Sequence, residues 1–306
     1  MTLDQLQIFL VVAQHLHFTR AAEALYITQP SVSAAIQSLE EQYGVKLFHR
    51  IGRRVELTQA GQLLQSESQK ILEQVELIER GLRELNDLQS GELKLGASQT
   101  IGNYWLPHFI SQFKQRYPGI WIDCTLGNTQ EISTGIVTGL FDLGLVEGDV
   151  EPAVSAVLEQ QIVGSDCLQI VVGQSHPWYE QTAVPITKLT TTAWVMREKG
   201  SGTRQQFEQV LQQWGIEPTE LTIALEMKTG EMVKAAVESG VGAAAISELM
   251  ISKELRLELL RPIEVTDWKK ETPANDQLVR PFLLLKHRER FQTHISQTFE
   301  QLLAMR

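Results

Sequence analysis

The sequence predicts an α/β protein built as a small helical head, one long helix and a two-lobed α/β body. Three observations carry this reading. Residues 1–57 show apolar residues at three- and four-residue steps, interrupted by tight turns. A heptad-spaced apolar row then runs from Leu64 to Leu85. From residue 91 onward short apolar runs alternate with amphipathic stretches, the pattern of mainly parallel sheets covered by helices. The 306 residues, 43% hydrophobic and 21% charged, suffice for two or three such domains.

In the head, Leu3, Leu6, Phe9, Val12 and Leu16 fall on one face of a first helix. Thr19–Leu25 fit a second, with Ala21 and Ala22 small enough for close helix packing. Tyr26, Ile27 and Thr28 read as a turn. Thr28 then N-caps a third helix, and Pro30 lies in its first turn, where no intrahelical donor is lost. Val32, Ile36, Leu39 and Tyr43 line one face of that helix. Gln29, Ser31, Ser33, Ala34 and Gln37 line the other, and Gly44 ends it. Leu47 and Phe48 are core candidates, and the run IGRRV reads as a tight turn between two short strands, a wing.

Thr58 caps a helix extending to about Leu88. Leu64, Ile71, Ile78 and Leu85 recur every seventh residue; Val75 and Leu82 fill the alternate positions and Ser68 is a polar member. This is the seam of a coiled coil and predicts self-association. The alternative is packing on the helix's own domain, but its other faces are too polar for a buried helix. The domains expected are 1–58, 59–90 and 91–306. Polar turns near Val163–Ser165 and Thr266–Trp268 divide the last into a lobe of 91–162 plus 266–306 and a lobe of 163–265.

Composition bounds the function. Two cysteines, Cys124 and Cys167, exclude a disulfide scaffold and fit a reducing cytoplasm. The N-terminus reads as an amphipathic helix rather than a secretion leader, and no apolar run reaches the ~18 residues of a membrane span. The net charge of -10 argues against a polyanionic partner. The head, however, is balanced: Arg20, Lys46, Arg50, Arg53 and Arg54 offset Asp4, Glu23, Glu40, Glu41 and Glu56. Four of its basic residues crowd into 46–54, away from Glu40 and Glu41. Two short helices around a three-residue turn, followed by a wing, make a winged helix-turn-helix, whose second helix fits the DNA major groove.

These residues closely resemble the N-terminal region of LysR-type transcriptional regulators. The resemblance rests on LQIFLVVAQ, FTRAAEALYITQPSVSAAIQSLEEQYGVKLFHR and RRVELTQAG. It continues through LGASQTIGNYWLP, GNT, LGLVEG, REKGSGTR and AAVESGVGAAAIS, which are similar to blocks of the family's effector domain and look closest to members concerned with sulfur and carbon assimilation. The resemblance implies a homodimer through the long helix, often a dimer of dimers (a homotetramer), bound to promoter DNA. It also implies an effector domain like the periplasmic binding proteins. Carried over by position, Gln29, Pro30, Ser31, Ser33 and Gln37 face the major groove, with Gln29 placed to read adenine and Pro30 to touch a thymine methyl. Thr19 and Arg20 meet phosphate, and Arg50, Arg53 and Arg54 serve the wing. Ala34 departs from the arginine of many relatives and leaves operator sequence open. For Ser31 and Ser33 the alternative is helix solubility; for Arg53, a solvated turn charge.

In the body, LGASQT and MREKGSGTR share a design: each follows a strand and opens a helix. Helix N-termini hold anions through free N–H groups and a partial positive charge. Ser98 and Thr100 form one jaw, Ser201 and Thr203 the other, with Arg204 supplying charge and Thr129 a further donor. A small anionic metabolite, a carboxylate, phosphate ester or sulfate-like species, is the expected effector; no cofactor or metal is expected. The alternative is that each hydroxyl only caps a helix. An enzyme on a small anionic substrate is the rival class, but the chain holds no P-loop, HExxH, nucleophile elbow or close His/Cys set. A redox-sensing regulator of the same fold is the other rival, and the two cysteines stand far apart. Arg53→Ala is expected to weaken promoter binding by roughly 1–3 kcal/mol in a gel-shift titration if Arg53 meets a base edge; unchanged affinity would remove it from the interface.

Overall fold

The computed structural model describes residues 1–51, 54–84, 90–267 and 278–304. Arg53 and Leu85 lie outside the described residues, and of Arg50 and Arg54 the backbone alone is described. The chain forms two compact units, Met1–Arg83 and Glu84–Arg306.

In the first unit, α1 (Leu3–His15) starts at a capping box in which Thr2 and Gln5 satisfy each other's backbone N–H. Leu6, Phe9, Val12 and Ala13 are buried, whereas Leu3 and Leu16, expected on the same face, are exposed. Leu16 terminates the helix in a left-handed conformation and so turns away from the stripe. His17 caps α2 (Phe18–Ala24) by accepting the Arg20 N–H. Thr28 Oγ1 accepts the Ser31 N–H at 3.3 Å and caps α3 (Gln29–Tyr43). Gly44 closes α3 at φ 65°, where a side chain would be strained. Val32, Ile36 and Leu39 are buried, but Tyr43, in the last turn, is exposed. β1 (Phe48–Ile51) and β2 (Arg54–Leu57) pair antiparallel as the wing.

α4 (Gln59–Glu84) begins where the Thr58 hydroxyl accepts the Gly61 N–H at 3.0 Å and donates to the Lys46 carbonyl at 2.6 Å. Of the seam residues, Leu64 packs on the head's own core, around Phe9, Val32, Ile36 and Phe48. Val75 is half-buried; Ile71, Ile78 and Leu82 are exposed, and so is Leu63.

The second unit opens with β3 (Gly91–Ser98), a π-type turn (Ile101–Trp105), α5 (Leu106–Arg116), β4 (Ile120–Gly127), α6 (Thr129–Thr138) and β5 (Leu143–Glu147). α7 (Pro152–Ser155) leads into β6 (Leu158–Gly173). Then follow β7 (Ala183–Pro185), β8 (Ala193–Arg197), α8 (Gly202–Gln213), β9 (Thr222–Met227), α9 (Gly230–Glu238), β10 (Ala244–Ser247) and α10 (Glu248–Arg256). β11 (Leu260–Pro262), β12 (Glu264–Thr266), β13 (Val279–His287) and α11 (His294–Ala304) complete it.

Sequence analysis reads the sheets as mainly parallel. β3–β4, β3–β5 and β8–β9 are parallel, but β13 pairs antiparallel with both β5 and β6, and β6 pairs antiparallel with β10 and β11. The unit is therefore mixed, with an antiparallel spine. Where a turn is expected at Val163–Ser165, β6 runs on as one 16-residue strand. The polar signal there marks a bulge instead: Gly164 pairs with Phe282 and Ile162 with Leu283, so Val163 is the extra residue.

β6 and β13 thus link two cores. One packs β3, α5 and α11 through Leu93, Leu95, Phe113, Phe282 and Phe299. The other packs β6, β8 and α8 through Leu168, Ile170, Trp194 and Phe207. The return crossing lies between Leu278, in the second core, and Phe282, in the first; of the turn expected at Thr266–Trp268, Trp268 lies outside the described residues. β5 is buried on every residue, which is why LGLV reads as an unbroken small and apolar run.

Glu40 ties α3 to the wing by accepting Lys46 Nζ at 2.6 Å and the Leu47 N–H at 2.9 Å. Burial works against its charge, but these hydrogen bonds win and hold its pKa below the ordinary 4.5. Its contribution is therefore full above about 4.5 and is lost as pH falls through the lower folded value. Glu40→Gln is expected to cost about 1 kcal/mol near neutral pH. Thermal unfolding of parent and variant should show that difference shrinking as the medium becomes strongly acidic.

Candidate DNA-reading face and interlobe site

The head presents two surfaces of functional residue types. On α3, Gln29, Pro30, Ser31 and Gln37 are exposed and Ser33 is half-buried. Gln29 Nε2 donates to Ser33 Oγ at 2.8 Å, Ser31 and Thr28 share a hydroxyl contact at 2.8 Å, and Gln37 donates to Glu41 at 2.7 Å. These bonds hold the polar side chains along the helix. Thr19 and Arg20 are exposed at the start of α2. Lys46 forms an ion pair with Glu40 at 2.6 Å while its side chain stays largely exposed. Arg50 and Arg54 take ladder positions, opposite Val55 and Ile51.

In the second unit, sequence expectation and structure meet at a buried polar cluster between the two cores. Its centre, Arg280, is fully buried. It stands directly opposite Asp166 where β13 and β6 cross from one core to the other. Its Nε and Nη2 donate to Asp166 Oδ2 at 3.2 and 2.8 Å, and Asp166 Oδ1 accepts Ser247 Oγ at 3.0 Å. Arg280 Nη1 donates to Thr203 Oγ1 at 2.9 Å and Nη2 to Thr100 Oγ1 at 3.3 Å. One guanidinium therefore joins a helix start from each lobe. Glu147, at the end of β5, lies 3.6 Å from Nη1 and accepts the Ser98 hydroxyl.

Four of the six expected effector residues gather here. Thr100 and Thr203 bond Arg280, Ser98 bonds the Glu147 carboxylate, and Thr129 Oγ1 donates to the Glu147 carbonyl at 2.7 Å. Ser201 and Arg204, with Thr129 on its near wall, line an adjoining pocket of about 250 Å3 together with Lys199, Gln205 and Glu208. Arg204 is occupied within its own lobe by Glu208 at 2.6 Å, Glu226 at 2.5 Å and the Arg197 carbonyl at 3.0 Å. Burial works against its charge, yet those carboxylates hold its pKa above the ordinary range.

The hydroxyls are not spent on capping: Thr100 and Ser201 sit at cap positions without a cap hydrogen bond, and α6 is capped by Asn128. Close approach is enforced by glycine, since a Cβ on Gly202 would fall 1.8 Å from the Glu147 carbonyl oxygen. Arg280, Asp166, Glu147 and Ser247 are functional-site residues that the sequence reading does not include. The available signal was a charge inside an apolar strand run, as in VRPFLLL and LVEG.

Neither cysteine forms a disulfide. Burial, and then the neighbouring Asp123, push the Cys124 thiol up, away from the thiolate that redox sensing needs. Among the described residues no cluster of His, Cys, Asp and Glu is arranged to hold a metal ion, and no helix is long and apolar enough to cross a membrane.

Comparison with known proteins places both units. The family model for the bacterial regulatory helix-turn-helix protein, lysR family, matches residues 3–62, and that for the LysR substrate binding domain matches residues 86–306. The probable RuBisCO transcriptional regulator of Cyanidium caldarium is 33% identical over 298 residues, covering 97% of this chain and 92% of its own. Full-length CbnR complexed with its target DNA matches with a TM-score of 0.70 at 20% identity, over 99% of each chain. The Synechocystis CcmR regulatory domain in complex with 2-PG matches with a TM-score of 0.59 at 24% identity, over 70% of this chain and 96% of its own. At such identities the two structures speak for the fold alone.

Removing one partner of a buried ion pair strands the other. Arg280→Ala is expected to cost about 3–5 kcal/mol, read as a drop in the denaturant midpoint of the body's unfolding transition. A cost below about 1 kcal/mol would show that water reaches the site.

Proposed function

The chain belongs to the LysR family of transcriptional regulators, and from that premise we propose that it answers a small anionic metabolite held between the two lobes of its body. It is a DNA-binding regulator; the proposal concerns its effector, its assembly and its contacts. The observation that carries the effector reading is the convergence of Thr100 and Thr203 on a buried guanidinium at the strand crossing between the cores, with Ser98 on the neighbouring Glu147 carboxylate. Buried polar donors drawn from both lobes give a ligand differential contacts in open and closed states, the requirement for shifting their balance. The name of the CcmR complex supports a small-molecule effector of the 2-PG kind. Relatives named as RuBisCO regulators make RuBisCO genes the first promoters to test.

For DNA we assign Gln29, Pro30, Ser31, Ser33 and Gln37 to the major groove, Thr19 and Arg20 to phosphate, and Arg50, Arg53 and Arg54 to the wing. For assembly we assign the exposed row of Ile71, Ile78 and Leu82, with Leu63 beside it, to a second copy of α4. A dimer doubles the basic cluster and brings two reading helices to one promoter in the cytoplasm. Lobe closure then alters how two dimers sit together, and with that the bend and footprint of the DNA. Catalysis has no part in this reading.

Ser98→Ala and Thr203→Ala are expected to weaken 2-PG binding by about 1–2 kcal/mol each and to abolish the effector's change in a footprint, while effector-free promoter binding persists. Equal loss of both activities would refute the effector assignment. A monomer that ignores promoter fragments at low salt would refute the assembly.

A further inference from the structure

Charges in the interlobe cluster do not balance pairwise. Asp166 neutralises Arg280 through two hydrogen bonds to one carboxylate oxygen. Arg197, buried on the wall shared by Thr100, Thr203 and Ser247, is neutralised by Glu198 at 2.8 and 2.9 Å. Glu147 is left over. It is 2% exposed, and Arg280 Nη1 approaches it only to 3.6 Å, outside hydrogen-bond distance. Yet it takes the donors that an incoming anion needs: the Ser98 hydroxyl binds its carboxylate, the Thr129 hydroxyl binds its carbonyl, and the fifth N–H of Arg280 has no closer acceptor among the described residues. The cavity bounded by Thr100, Arg197, Thr203 and Ser247 has a volume of about 10 Å3, no more than one water occupies.

We infer that the Glu147 carboxylate is a resident counter-anion: it occupies the seat of the effector's anionic group and must leave Ser98 and Arg280 for that group to bind. This rests on the anionic-effector reading above and deepens it. An anion entering with Glu147 in place would meet a surplus carboxylate in a low-dielectric site, with both guanidiniums already paired. With Glu147 displaced, Ser98 and the free N–H of Arg280 pass to the ligand, and Thr100, Thr203 and Asp166 keep Arg280 aimed. Glu147 thereby sets a threshold: a ligand must out-compete an internal carboxylate, so weak or singly charged anions are rejected.

The test titrates full-length protein with 2-PG and, separately, inorganic phosphate by calorimetry. Glu147→Gln keeps size and the Ser98 hydrogen bond but removes the charge. It is expected to bind both probes at least about tenfold tighter than the parent. Glu147→Asp keeps the charge and is expected to stay within about threefold of the parent. Unchanged or weaker binding in Glu147→Gln, while the parent binds 2-PG, overturns the resident-anion role and leaves the anionic effector standing. An equal gain in Gln and Asp overturns it too, because space rather than charge would then be limiting. If no folded form binds either probe, as judged with circular dichroism, the anionic-effector reading and this inference fall together.

Discussion

A guanidinium sealed away from water must find its counter-charge and acceptors within reach, and the body of this protein is arranged around that demand. Arg280 is fully buried, and its partners come from β6, the start of the α5 region, and the first turn of α8. Desolvating such a pair costs several kcal/mol per ion before attraction repays it, so the pair is weak evidence for stability as such. What it confers is geometry. A fork of donors with one arm on Asp166, one on Thr100 and one on Thr203 ties the two lobes together.

The position of the pair explains its reach. Asp166 and Arg280 are opposite one another on the two strands that carry the chain from core to core. Those strands are continuous hydrogen-bonded ladders rather than loops, and their irregular point is the bulge at Val163. The bulge interrupts the register a few residues from the ion pair. Thr100 and Thr203 stand one hydrogen bond from Arg280, and Ser98 reaches it only through Glu147.

The head resolves the conflict between an acidic chain and an anionic partner differently. Its surface on α3 is polar and uncharged, with Gln29, Ser31 and Ser33 bonded to one another or to Thr28 along the helix. Such a face carries hydrogen-bond donors and acceptors without net charge. Lys46 pairs with Glu40, which fixes the wing to α3.

Much of this was legible in the sequence because it depends on local rules. Thr2, Thr28 and Gly44 bound the head's helices by capping chemistry, and the periodicity of Val32, Ile36 and Leu39 placed α3's buried face. LGLV announced a strand covered on both sides, and the Ser/Thr-rich strand-to-helix turns pointed to the interlobe cluster. Where the sequence misled, long-range packing had overruled a local signal. Val163–Ser165 is polar, but its backbone is paired with β13 and continues as strand. Tyr43 keeps the helical period but lies beyond the core's edge, and Leu64 keeps the heptad but packs on the head. Arg280 stands more than a hundred residues from both Asp166 and Glu147, and no periodicity couples them. Cross-strand register alone sets Arg280 against Asp166, and burial alone turns an ordinary strand-end glutamate into the surplus charge of the site.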